Sequence, residues 1–126
     1  MRTTTLLIAA GLLPSLALAQ TKEEAFEKTI KPMLERSCVG CHGGKDKDGK
    51  VKVKGGFRTT SLEAVVKGGK EQGAGVTWGK PMESSLYLLS KADRDDDLAM
   101  PPKKSTAKPL TPEELETLRK WIEAGK

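Results

Sequence analysis

The feature that most constrains this chain is the pentapeptide CVGCH, residues 38–42. It holds both cysteines of the chain, Cys38 and Cys41, and its only histidine, His42. Few chemical uses fit every thiol and the one imidazole packed into five residues. A structural zinc site normally takes four protein ligands as two pairs, and no second pair exists. A thioredoxin-like motif sets C-x-x-C after a strand and at the start of a helix. Here a helical pattern precedes the motif and a glycine-rich stretch follows it. A plain disulfide suits an oxidising compartment but leaves the adjacent histidine without a role. C-x-x-C-H is the attachment signal for c-type haem. Each thiol adds to one porphyrin vinyl group, the two-residue gap matches the vinyl spacing, and the histidine lies under the iron. On this reading Cys38 and Cys41 form the two thioethers of one covalent haem c, and His42 is the proximal iron ligand.

The N-terminus supports the compartment that this chemistry needs. Met1-Arg2 gives a positive start, an apolar run extends from Leu6 to Ala19, and Ala17-Leu18-Ala19 has the form of a signal peptidase site. Residues 1–19 read as a cleaved secretory signal peptide. The run is shorter than the ~20 apolar residues of a spanning helix and contains Pro14. The expected mature product is residues 20–126, exported to the periplasm or beyond, soluble, with no stable membrane insertion. Its formal charge falls from +5 to +4. That is mild, and the whole chain has only five aromatic residues. The basic stripe with stacking aromatics of a nucleic-acid binder is missing. So few large apolar side chains also make a thin core, and a small chain of this kind commonly needs a staple or prosthetic group.

Helical signals dominate the rest. Thr21 and Glu24 form a capping box, and Ala25, Phe26, Ile30, Met33 and Leu34 follow at helical spacing. They predict a helix over 22–36, kinked or broken at Pro32. Residues 43–56, "GGKDKDGKVKVKGG", read as an exposed loop. Its acids lack the spacing and the bidentate Glu of a calcium loop. Ser61 caps a short helix over 62–67 that stops at Gly68-Gly69. Residues 68–80 read as loop. Pro81 opens a helix ending near Ala92. "DRDDD", 93–97, reads as a solvated surface turn. Thr111, Pro112 and Glu114 start the last helix, Leu115, Leu118 and Ile122 form its apolar stripe, and Gly125 ends it.

The iron needs a sixth ligand or an open position. Three methionines follow the leader. Met33 falls on the first helix and reads as core. Met82 sits beside Pro81 at a helix start and reads as surface or packing. Met100 begins "MPP", a stiff extended loop that can cross the far face of a haem. Met100 is favoured as the distal ligand by analogy with His/Met cytochromes, against Met82 or an open site.

The chain resembles small class I cytochromes c, and more closely the planctomycete-type cytochrome c domain. The stretches that carry the resemblance are "IKPMLERSCVGCHGG" (30–44), "VKGGFRTTSLEAVVKGG" (53–69), "GKPMESSLYLLSKA" (79–92), "LAMPPKK" (98–104) and "LTPEELETLRKWIEAG" (110–125). The resemblance implies an all-α fold of three to five short helices and long loops around one haem. It implies His42 proximal and Met100 distal, and a first helix crossing the last through Phe26 and Trp121. In "GGFR", Phe57 is a candidate haem contact. Arg58 either reaches a haem propionate or is simply solvated. One departure stands out: such cytochromes have a proline soon after the histidine, whose carbonyl accepts the imidazole N–H. Here the next proline is Pro81, so another carbonyl must orient the ring.

The expected function is outer-sphere transfer of single electrons between Fe(II) and Fe(III). Lys45, Lys47, Lys50, Lys52 and Lys54 form a basic cluster that suits an acidic redox partner protein. Asp93, Asp95, Asp96 and Asp97 form an acidic one. Two rivals differ in class: an open-site haem protein with ligand-binding or peroxidase-like activity, and a haem-stabilised interaction or sensing module.

Overall fold

The computed structural model describes residues 20–125. The leader read over residues 1–19 lies outside the described residues. Among the described residues no helix is long and apolar enough to cross a membrane.

The chain starts helical at the capping box: the Glu24 N–H donates to Thr21 Oγ1, and the Thr21 N–H donates to Glu24 Oε2. Helix α1 runs Lys22–Ala25, a π turn covers Phe26–Ile30, and α2 runs Lys31–Ser37. The proline expected to disturb this helix does so just upstream of itself. Pro32 has no N–H for the preceding turn and its ring crowds that turn. The chain responds with a wider turn, in which the Lys31 N–H reaches back to the Phe26 carbonyl.

Residues read as one exposed loop instead pair as a short antiparallel hairpin, β1 (His42–Lys45) with β2 (Val51–Val53). The all-α expectation therefore misses a two-stranded sheet. The alternating "VKVK" supplies the strand pattern, and "DKDG" supplies the turn. Asp46 Oδ1 accepts the N–H groups of Asp48 and Lys50, both at 2.9 Å. Gly49 takes a φ of +78° there, a conformation that glycine alone adopts freely.

Helix α3, Leu62–Lys67, begins at Ser61 and ends at Gly68 as its caps predict. The glycine-rich stretch after it is a loop, but a packed one. A Cβ on Gly75 would lie 1.9 Å from the Val65 carbonyl oxygen, so only glycine permits that backbone contact. Pro81 opens a single 3-10 turn, Pro81–Glu83, before α4, Ser85–Lys91. Helix α5, Pro112–Ala124, carries the second capping box.

The core joins the first helical segment to the last. Phe26, Ile30, Leu34, Leu118 and Ile122 are essentially inaccessible to solvent. The rings of Phe26 and Trp121 lie 6.1 Å apart, and Trp78 meets Trp121 edge-on at 4.9 Å. At the other end of the same contact, the Arg36 guanidinium grips both Glu114 carboxylate oxygens, at 2.5 and 2.6 Å. That fork, with its charge-assisted hydrogen bonds, holds the Glu114 carboxyl down at about 2. The end of α2, which leads into Cys38, is thus fastened to the start of α5.

Candidate functional site

The CVGCH segment leaves α2 in a tight turn. The Cys38 and Val39 N–H groups still donate to the Leu34 carbonyl, at 2.7 and 3.1 Å. The Cys41 and His42 N–H groups then turn back onto the Cys38 carbonyl, at 3.2 and 3.0 Å. This turn brings Cys38, Cys41 and His42 to the wall of one cavity. The two cysteines are not joined in a disulfide. Burial pushes the Cys38 thiol up to about 11, the nearby Arg36 charge opposing only part of that rise. A thiol so raised is not poised as the thiolate of a disulfide-exchange enzyme.

His42 is held at both ends. Its carbonyl accepts from the Thr59 N–H at 2.8 Å and from the Thr59 hydroxyl at 3.0 Å, and Thr59 is buried. Its ring Nδ1 lies 3.0 Å from the Lys54 carbonyl oxygen. A carbonyl only accepts, so Nδ1 carries the hydrogen and the lone pair of the neutral ring sits on Nε2. Burial keeps the imidazole below its ordinary pKa, although the Lys54 hydrogen bond works in the opposite direction. The neutral form is the one that binds metal. Lys54 therefore supplies the orienting carbonyl that a proline after the histidine would otherwise provide. The hairpin delivers it, since Val53 pairs with His42 across the sheet.

More of the lining comes from α4 and the loop after it. Leu86, Leu89, Leu98, Met100 and Pro102 supply it. The Met100 N–H donates to the Leu89 carbonyl at 2.9 Å, which seats the methionine loop on the helix. The peptide between Met100 and Pro101 is cis. Phe57 lines the same cavity, its ring 5.2 Å from that of His42. Exposed Lys54, Glu71 and Gln72 give the mouth its polar edge. The cavity holds about 260 Å³, near the lower end of small-molecule sites at ~300–1,000 Å³.

Five of the six residues singled out in the sequence thus meet around one space: Cys38, Cys41, His42, Phe57 and Met100. Arg58 is exposed and outside the lining. Met82 is 61% exposed and also outside it, while Met33 is buried in the core. Four contributors were not visible in the sequence. The Lys54 carbonyl has no side-chain signature. Leu98 gave no helical or strand pattern. Leu86 and Leu89 read only as the apolar face of a helix. Among the described residues no three His, Cys, Asp or Glu side chains converge as a metal site made of protein alone.

The residues fit a covalent haem by the chemistry of the donor set. Two thiols, one imidazole with a free Nε2 and one thioether border a space whose other walls are largely aliphatic and aromatic. Comparison with known proteins agrees: the family described as Planctomycete cytochrome C matches residues 38–104. That span runs from the first cysteine through the methionine loop. No curated protein and no solved structure matches the chain.

Proposed function

Because the chain belongs to the planctomycete cytochrome c family, a family of haem-binding electron carriers, we propose that it holds one haem c and carries single electrons by outer-sphere transfer. The observation that carries this reading is the convergence of Cys38, Cys41, His42 and Met100 on one cavity. Cys38 and Cys41 would tether the porphyrin. His42 Nε2 would ligate the iron, its ring orientation held by the Lys54 carbonyl. The Met100 thioether would be the second ligand, and the group would then supply electron transfer without a substrate position. Leu86, Leu89, Leu98 and Pro102 give the methionine side an apolar lining. When bound, the haem supplies a one-electron couple, and thioether ligation together with burial favours its reduced state.

Export of the mature chain, without membrane insertion, completes the proposal. The partner we propose is an acidic redox protein. Lys45, Lys47, Lys50, Lys52 and Lys54 are all exposed on or beside the hairpin that carries His42. Such a patch steers an acidic partner toward that side of the molecule.

The test is a potentiometric titration of the haem-loaded protein followed by its optical spectrum. A carrier gives one Nernstian step of about 59 mV per tenfold change in the ratio of oxidised to reduced protein, the slope for one electron. It stays six-coordinate and low-spin in both states. A high-spin ferric spectrum would argue instead for an open site.

A further inference from the structure

The loop that carries Met100 raises a problem of attachment. Residues 101 and 102 are both proline, so the stretch offers two carbonyls and no N–H. It can be fastened only through its acceptors. Both acceptors are taken by one side chain: Arg94 Nη1 donates to the Pro101 carbonyl, and Nη2 reaches the Pro102 carbonyl at 3.5 Å. Pro101 is buried and Arg94 half-buried. Met100 is thus bracketed, its own N–H on the Leu89 carbonyl and the next two carbonyls on Arg94.

Arg94 is the one base within residues 93–97. Its acidic neighbours shape the backbone: Asp93 Oδ1 accepts the Asp95 N–H at 3.0 Å, and Asp96 Oδ1 accepts the Leu98 N–H at 2.8 Å. These side-chain turns present the guanidinium to the proline carbonyls. Asp95 also pairs with Lys103, but both side chains of that pair are largely exposed.

Resting on the reading of Met100 as distal ligand, we propose that Arg94 is the positioning residue that keeps the Met100 sulfur over the haem cavity. Two carbonyls a residue apart suit a planar fork of donors, which lysine lacks. Arginine also never loses its charge in a protein, so the latch holds across the working pH range.

The test uses the haem-loaded protein and added imidazole as the competing ligand. Imidazole at saturating excess replaces Met100 on ferric iron at the rate at which the sulfur leaves. That replacement is followed by loss of the long-wavelength methionine–iron band. Arg94→Ala is expected to speed it about tenfold or more, the equivalent of one lost charge-assisted hydrogen bond. Arg94→Lys, with a single point donor, should fall between the two. Lys103→Ala should match wild type, because an exposed pair contributes little. Circular dichroism checks that each variant is folded at the working temperature, and Arg94→Gln replaces the alanine variant if that one does not fold. A merely structural arginine would lower the melting temperature and leave the imidazole rate unchanged. A wild-type rate in folded Arg94→Ala, or equal acceleration by Lys103→Ala, overturns the role of Arg94 alone. A wild-type protein with no methionine–iron band overturns the ligand assignment, and this proposal with it.

Discussion

Replacing Met100 by alanine should abolish the methionine–iron band of the ferric protein and open the iron to added ligands. The substitution removes one sulfur from the cavity wall while leaving the backbone anchor, the Met100 N–H on the Leu89 carbonyl, available to any residue at that position. The protein should stay folded. Its reduction potential should fall by on the order of 0.1 V, a modest part of the ~0.8 V range that axial ligands command. Among the described residues no other methionine can take over. Met82 is mostly exposed and away from the cavity, and Met33 is packed in the core. A band that persists in Met100→Ala would contradict the assignment, and so would an unchanged potential.

Phe26→Ala should do the reverse, costing stability and sparing ligation. Phe26 is fully buried, has its ring tilted against that of Trp121 at 6.1 Å, and belongs to the core that joins the first helical segment to α5. Truncating a buried phenylalanine typically costs about 3–5 kcal/mol through lost transfer energy and the cavity left behind. Against a total stability of about 5–15 kcal/mol, that is a large share. Only five aromatic residues exist in the whole chain, so there is little with which to repack. The denaturant midpoint of the haem-loaded variant should drop sharply. The methionine–iron band should survive in whatever remains folded, because Phe26 does not line the cavity. A loss below about 1 kcal/mol would mean that the site collapses around the gap far better than a close-packed core permits.

These two outcomes separate what the sequence made legible from what it did not. Helix starts were readable because a cap is a local event: Thr21 with Glu24, Ser61, and Thr111 with Glu114 each bond within three residues. The Phe26–Trp121 contact, expected from the family resemblance, is present in the fold. The thiols, imidazole and thioether that border the cavity were readable because their chemistry sits in side chains. The hairpin was not. Its strands are four and three residues long, and its lysines and glycines resemble a solvated loop. Nor was the partner of the His42 ring, since Lys54 acts through its carbonyl, and any residue carries one. Arg94 was hidden by its surroundings. Inside "DRDDD" the charge pattern suggested only solvation, whereas the two prolines downstream have acceptors with no donors of their own. In each case the unread part is a backbone group whose partner lies elsewhere in the chain, so it appears only once the chain has folded.

The most direct test of the central claim is the intact mass of the protein, produced in a host that assembles c-type haem and measured after full denaturation. Thioether bonds survive unfolding, whereas a merely bound haem is lost. The expected result is a polypeptide heavier by one haem, with neither Cys38 nor Cys41 open to alkylation. A bare polypeptide mass with two alkylatable thiols, or with a disulfide between them, would contradict it.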